Sequence, residues 1–237
     1  MDVLVTGHTR GLGAALARVY LDAGHRVFGL ARTRGETMPR LHQAQADFAA
    51  PATLAAALDE LLGASDPTLV FLNAGMLGPI AALQSTGLDA LREVMDVNVW
   101  ANKVLIDALA ARATPPAQIV LISSGAGVRG NYGWGAYALS KATLNMLAQL
   151  YAHELPDTHL CALAPGLVAT AMQDELATKD ADEFPSLARL RDARGTPRMP
   201  TPAVAAAHIA AIVPRLTAHA SGSFVDVRES YPLDAGA

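Results

Sequence analysis

From end to end, short apolar runs of strand type alternate with longer stretches of helical periodicity, and that alternation is the strongest constraint on what this chain can fold into. Strand-like runs cover residues 3–5, 26–31, 41–46, 68–72, 118–122, 159–164 and 223–227. Between them lie helical patterns with their own stop and start signals. Residues 11–23 are closed by Gly24, and the helix opened by Pro51 at 51–62 is stopped by Gly63. A long pattern at 88–113 ends before Pro115, and one at 137–155 stops at Pro156. Thr201 caps a last helix that reaches Val213, with Pro202 at its first position. Seven strands separated by helices predict a mostly parallel α/β sheet covered on both faces, doubly wound by right-handed crossovers. With no internal repeat and no linker, residues 1–237 read as one domain. Residues 170–200 are the exception: polar, charged and weakly periodic, they read as a mobile flap with some helix.

Composition narrows the function. The chain is 51% hydrophobic, enough for a real core, and 18 basic against 22 acidic residues give a formal charge of -4. No basic stripe suggests a nucleic-acid partner. Apolar stretches break well before membrane-spanning length. The opening Met1-Asp2-Val3-Leu4 runs straight into a strand and lacks the layout of a signal peptide, so a soluble cytoplasmic protein is expected. The single cysteine, Cys161, sits within a strand and reads as a buried small hydrophobe. The seven His are scattered without metal-ligand spacing, so no metal is expected.

Open α/β sheets bind ligands beyond the carboxyl ends of their strands. The unusual residues collect there: Gly7 after the first strand, Asn73 after the fourth, Ser124 after the fifth, Pro165-Gly166 after the sixth. The segment Thr6-Gly7-His8-Thr9-Arg10-Gly11-Leu12-Gly13 has the spacing G-x-x-x-G-x-G. Glycines there permit tight turning and close backbone approach, and a helix start offers free N–H groups to a pyrophosphate. Alone, the loop fits a dinucleotide cradle or a plain strand–helix turn; its place at the first junction favours the cradle. Tyr137 and Lys141 are four apart on a helix and share a face. A free tyrosine has a pKa of about 10, and a nearby ammonium favours the phenolate. Ser123 and Ser124 face opposite ways on an extended chain, so one of them points at the site.

The glycine loop, Asn73-Ala74-Gly75, Tyr137-Ala138-Leu139-Ser140-Lys141 and Pro165-Gly166, in this order, resemble the classical short-chain dehydrogenase/reductase family, over essentially the whole chain. The resemblance implies a single-domain Rossmann fold, a nicotinamide cofactor and hydride transfer between a carbonyl and an alcohol. It implies that Tyr137 is the acid that protonates the carbonyl oxygen, with its pKa lowered by Lys141, which also holds the nicotinamide ribose. The family spacing back from the tyrosine picks Ser124 to bind the substrate oxygen. Asn98 matches the asparagine that interrupts the fourth helix and supports a water relay to the lysine. Gly7, Thr9, Gly11, Leu12 and Gly13 would cradle the cofactor, and Asp47 would lie near the adenine, though it reads equally as an exposed turn aspartate. Asn73, Ala74 and Gly75 would stand beside the cofactor. Pro165, Gly166, Val168 and Thr170 would contact the nicotinamide carboxamide.

An NAD-selective site places an acid near the end of the second strand, and here that position holds Ala31, followed by Arg32. Arg32 and Arg10 read either as a clamp for a 2′-phosphate or as two solvated surface arginines. The clamp gives NADP(H) as the cofactor. Thr170-Ala171-Met172-Gln173 and Ser221 to Val227 look like the sepiapterin reductase and benzil reductase branch, whose members reduce vicinal dicarbonyls with NADPH. Asp226 stands where pterin-reducing members anchor the pterin; it also reads as an outward-facing residue of an alternating strand. Trp134, Met172 and Gln173 are placed around the substrate. The expectation is a carbonyl reductase acting on a small-molecule ketone, with two alternatives: a dehydrogenase working in the oxidative direction, or an idle NADP-binding regulator. The family also implies a homodimer or homotetramer.

Overall fold

The computed structural model describes residues 1–178, 184 and 186–233. Seven parallel strands form one sheet: β1 (Asp2–Thr6), β2 (Arg26–Ala31), β3 (Leu41–Gln45), β4 (Leu69–Leu72), β5 (Gln118–Ile122), β6 (His159–Ala164) and β7 (Ser223–Asp226). Their order is β3-β2-β1-β4-β5-β6-β7. The chain therefore reverses its direction of travel across the sheet between β1 and β4, and the crevice there opens at Gly7 and Asn73.

Alternation along each strand sorts the core into two layers. Val3, Val5, Phe71, Val120 and Leu163 face α1 (Gly11–Asp22) and α8 (Pro202–Ile212). Leu4, Val70, Leu72, Leu121 and Ala162 face the other side. There they meet α2 (Leu54–Leu62), α4 (Ala101–Ala110) and α5 (Gly135–Glu154). Both faces are covered, which is why these strands read as continuous apolar runs. Cys161 lies buried in this sheet, and burial pushes its thiol up to about 12.

Helix ends follow their signals. Gly24, at φ 85°, returns its N–H to the Leu21 carbonyl at 2.9 Å, and Thr201 accepts from the Val204 N–H at 3.4 Å. Three boundaries differ from expectation. The pattern at 88–113 is not one helix: α3 (Leu88–Met95) gives way to a π turn over Asp96–Trp100 before α4 begins. A wider turn of this kind accommodates one extra residue, and the extra residue here swings Asn98 inward. α5 starts at Gly135, two residues before the expected start at Tyr137, with Trp134 as its cap. The seventh strand ends at Asp226, whose side chain caps a short helix, α9 (Val227–Ser230).

The flap contains α6 (Ala171–Ala177) and α7 (Ser186–Ala193); residues 179–183 and 185 lie outside the described residues. Leu77, Leu176, Phe184, Leu187 and Leu190 form a third, smaller core that seats these helices over the carboxyl ends of the strands. No helix among the described residues is long and apolar enough to cross a membrane.

Candidate active site

The cavity above the strand ends has a volume of about 700 Å³. Every residue expected to touch a cofactor lines it, from Gly7, Arg10 and Arg32 at one end to Val168 and Thr170 at the other, and so do Ser124, Trp134, Met172 and Gln173. Asn98 and Asp226 do not.

The cofactor end is made of backbone. Gly7 and Gly11 take φ of 68° and 57°, a region that other residues enter with strain. A Cβ on Gly13 would stand 2.3 Å from the Gly7 carbonyl oxygen and 2.5 Å from Asn73 Nδ2, so α1 starts directly against the loop. Arg10 caps α1 without a side-chain bond, and no acid occupies the first turn, leaving the leading N–H groups free for an anion. The loop is held from both sides. Asn73 Nδ2 donates to the Thr6 carbonyl at 2.9 Å, and the Asn73 and Ala74 N–H groups both donate to Thr6 Oγ1 at 2.9 Å. His8, buried within the loop, bonds Gln43 through Nε2 at 2.8 Å and lies where a Cβ on Gly29 would come within 2.5 Å of its ring. Burial lowers the His8 pKa, so this ring packs as the neutral imidazole. The glycine in the middle of β2 was the one sequence sign that something lay close to that strand.

Arg10 and Arg32 are exposed, line the cavity and make no ion pair among the described residues. Asp47 is exposed beside them and accepts the Ala49 N–H at 3.0 Å.

The reacting groups stand mid-cavity. Ser123 and Ser124 do face opposite ways: the Ser123 hydroxyl is buried against Asn145 Oδ1 at 2.5 Å, while Ser124 opens on the cavity and accepts the Ala126 N–H at 3.1 Å. Lys141 is buried, with Nζ donating to the Ile122 carbonyl at 2.7 Å and lying 5.6 Å from the centre of the Tyr137 ring. Burial lowers Lys141 to about 8. Burial also raises the Tyr137 phenol above its ordinary 10, opposed by a hydrogen bond with Ser124. The expected lowering of Tyr137 by Lys141 therefore does not hold in this arrangement. Desolvation of the phenol dominates, and the Lys141 ammonium points to a backbone carbonyl. The result is a phenol that keeps its proton.

Asn98 sits one layer behind. Its Oδ1 accepts the Met76 N–H at 2.8 Å, and its Nδ2 donates to the Met76 carbonyl and to Ser140 Oγ, each at 2.9 Å. The Asn98 carbonyl accepts from Asn102 Nδ2 at 2.7 Å. It thus ties the segment after β4 to α5, and it meets Lys141 only across Gly75.

Asp226 is neither outward-facing nor open to a ligand. Its carboxylate is buried and both oxygens are taken by Arg228: Oδ1 by the backbone N–H and by Nε, each at 3.0 Å, and Oδ2 by Nη2 at 2.6 Å. The residue on the cavity wall is Arg228. Arg129, Arg189 and Glu93 also line the cavity without having been expected there. Arg228 was legible only as an arginine two places after Asp226; the others carry no motif.

A family model described as short chain dehydrogenase matches residues 2–181. The chain belongs to the short-chain dehydrogenase family. Benzil reductase ((S)-benzoin forming) of Bacillus subtilis (strain 168) is 28% identical to this short-chain dehydrogenase over 240 residues, 95% of this chain and 98% of that one. A benzil reductase ((S)-benzoin forming) of Saccharomyces cerevisiae is 30% identical over 196 residues, 73% of this chain and 74% of its own. The crystal structure of the KRED1-Pglu enzyme superposes with a TM-score of 0.83 at 27% identity, covering 94% of this chain and 99% of that one. Short-chain dehydrogenases are oxidoreductases that bind nicotinamide cofactors, and the family match contains the glycine loop, Ser124, Tyr137 and Lys141.

Proposed function

We propose that this chain is an NADPH-dependent carbonyl reductase whose substrates are ketones, vicinal dicarbonyls above all. The observation that carries the reading is the meeting of Ser124, Tyr137 and Lys141 in the same cavity as the glycine loop. The residues fit the cofactor. Gly13 leaves no room for a side chain where the backbone must come close, the first N–H groups of α1 are free, and Arg10 and Arg32, which make no ion pair among the described residues, line the same cavity and support a 2′-phosphate ligand. When bound, the nicotinamide supplies hydride.

The chain's own residues do the rest. The Ser124 hydroxyl hydrogen-bonds the substrate oxygen as negative charge builds on it. Tyr137 gives that oxygen its proton, and a phenol held in the protonated form suits the reductive direction. Lys141, with a pKa near 8, is poised to return a proton to Tyr137 and to bind the ribose. Asn98 keeps the Met76 segment and α5 in register. The likeness to two benzil reductases supports the dicarbonyl class.

The test is NADPH and NADH consumption with a panel of diketones, monoketones, aldehydes and alcohols. Reduction of diketones with kcat/KM at least tenfold higher for NADPH, and a reversal of that preference in Arg32→Asp, is the expected result. Equal use of NADH defeats the NADPH assignment. Cofactor binding without turnover on any carbonyl or alcohol defeats the enzyme.

A further inference from the structure

Resting on the reductase reading, we infer that Arg228, aimed by Asp226, is the donor that holds the second carbonyl oxygen of a neutral 1,2-dicarbonyl substrate.

The pair is built asymmetrically. The Asp226 side chain is 3% exposed and the Arg228 side chain 46%. Asp226 cannot turn, because it also caps α9. Its carboxylate takes the Nε hydrogen and one Nη2 hydrogen of the guanidinium. A guanidinium has five N–H donors, so three remain, and no group among the described residues accepts them. A forked, planar donor fixed on one edge presents its other edge in a set direction.

The arginine lies beside the backbone that follows Ser124. A Cβ on Gly125, the residue after Ser124, would lie 3.2 Å from Arg228 Nη2. A Cβ on Gly166 would lie 3.1 Å from both Cγ and Cδ of Arg228. Both positions are glycine, so the arginine passes between the backbone after Ser124 and the Pro165-Gly166 turn. A ketone oxygen bonded by Ser124 would leave an adjacent carbonyl within reach of the same wall.

The charge of the wall selects a neutral partner. Arg228 is neutralised by Asp226, and Arg129 pairs with Glu229 at 2.5 Å. Of the other charged residues that line the cavity outside the cofactor end, Lys141 is buried against the Ile122 carbonyl, and Arg189 and Glu93 are one of each sign. A guanidinium already satisfied in charge but not in hydrogen bonds favours a carbonyl dipole over a carboxylate.

The experiment compares a 1,2-diketone such as benzil with a monoketone of matched size, both with NADPH. In Arg228→Met the ratio of diketone to monoketone kcat/KM is expected to fall by about 10- to 100-fold, the range for one hydrogen bond from a charged donor. In Asp226→Asn the same ratio falls less, through KM and not kcat, because the donor remains but loses its aim. Arg228→Lys, which keeps a cation beside Asp226, serves if the methionine variant does not fold; its ratio also falls, since an ammonium lacks the fork. A ratio within twofold of wild type in the folded variants overturns the inference, whether both substrates suffer or neither does. A wild type that prefers a 2-oxo acid to the diketone by more than tenfold overturns it as well. A wild type that reduces neither ketone removes the reductase reading and this inference with it.

Discussion

The two ends of the cavity are made of different material. At the cofactor end, position is set by backbone: glycines at positive φ, free N–H groups of α1, and the Thr6–Asn73 bonds that lock one strand end to the next. At the substrate end, position is set by side chains borne on the loop before α5, the flap and the carboxyl end, among them Trp134, Met172, Leu190 and Arg228. The family match stops at residue 181, before α7 and Arg228. A backbone-built site tolerates no added atom but places few demands on side-chain identity elsewhere. A side-chain-built site can be rewritten residue by residue, which is how one fold comes to serve many substrates.

Tyr137 lies on the seam, so its removal gives the largest effect and shows whether the two ends are separable. Tyr137→Phe is expected to lower kcat by about 10²- to 10⁴-fold, the usual worth of a positioned acid, with NADPH affinity within threefold of wild type. Stopped-flow turnover and a fluorescence titration of NADPH measure the two. Retained turnover removes Tyr137 from the chemistry. Lost cofactor binding shows the ends to be one unit.

Next in size is a methyl group at the cofactor end. In Gly13→Ala the new Cβ meets a backbone oxygen at 2.3 Å, which no rotamer change can relieve. Overpacking of this kind costs about 1–3 kcal/mol, and the relaxation must open the very loop that cradles the pyrophosphate. NADPH affinity is expected to fall by 10-fold or more, with melting temperature lowered. Met172→Ala, which removes far more volume at the other end, should leave NADPH affinity within threefold. Equal losses from the two variants would erase the contrast.

This difference in material also explains what could be read from the sequence. Glycines at strand ends and Tyr137-x-x-x-Lys141 on one helix face are local patterns, so spacing and the family resemblance together picked out residues that the structure gathers around one cavity. The β-strand cores were legible for the same reason, being apolar runs buried on both faces. The π turn at Asp96–Trp100 was not, since the apolar period of 88–113 continues through it. Asp226 was misjudged because its meaning lies in a partner, Arg228, that faces the cavity only after α9 turns the chain. The direction of the Tyr137 shift was misjudged because spacing shows that Lys141 is near but not how deeply the phenol is buried.

Lys141 gives a third test, smaller and opposite in sign. Its pKa falls from 10.5 to about 8 on folding, through burial. The unfolded chain therefore binds more protons between those values, and stability drops as pH falls from 10.5 to 8 and stays low beneath. At about 1.36 kcal/mol per pKa unit, holding this ammonium costs about 3 kcal/mol at pH 7. Lys141→Met removes that cost and leaves the Ile122 carbonyl unpaired, which returns about 1 kcal/mol. The variant is expected to be inactive yet about 2 kcal/mol more stable to urea at pH 7, with the advantage gone by pH 10.5. A destabilised variant at pH 7 would mean that the ammonium supports the fold and not only the chemistry.

The smallest expected effect tests the substrate end by itself. The Trp134 indole N–H donates to Ser186 Oγ at 2.8 Å, joining the loop before α5 to α7, and its ring lies 6.2 Å from that of Tyr137. Trp134→Phe keeps an aromatic wall and deletes the donor, while the half-buried Ser186 hydroxyl can turn to water. One such bond is worth about 1 kcal/mol, so KM for the ketone should rise about fivefold, with kcat and NADPH affinity little changed. A fall in kcat beyond tenfold would mean that α7 positions Tyr137 through this indole. The side-chain-built end would then reach into the chemistry, and substrate specificity could not be altered there without loss of rate.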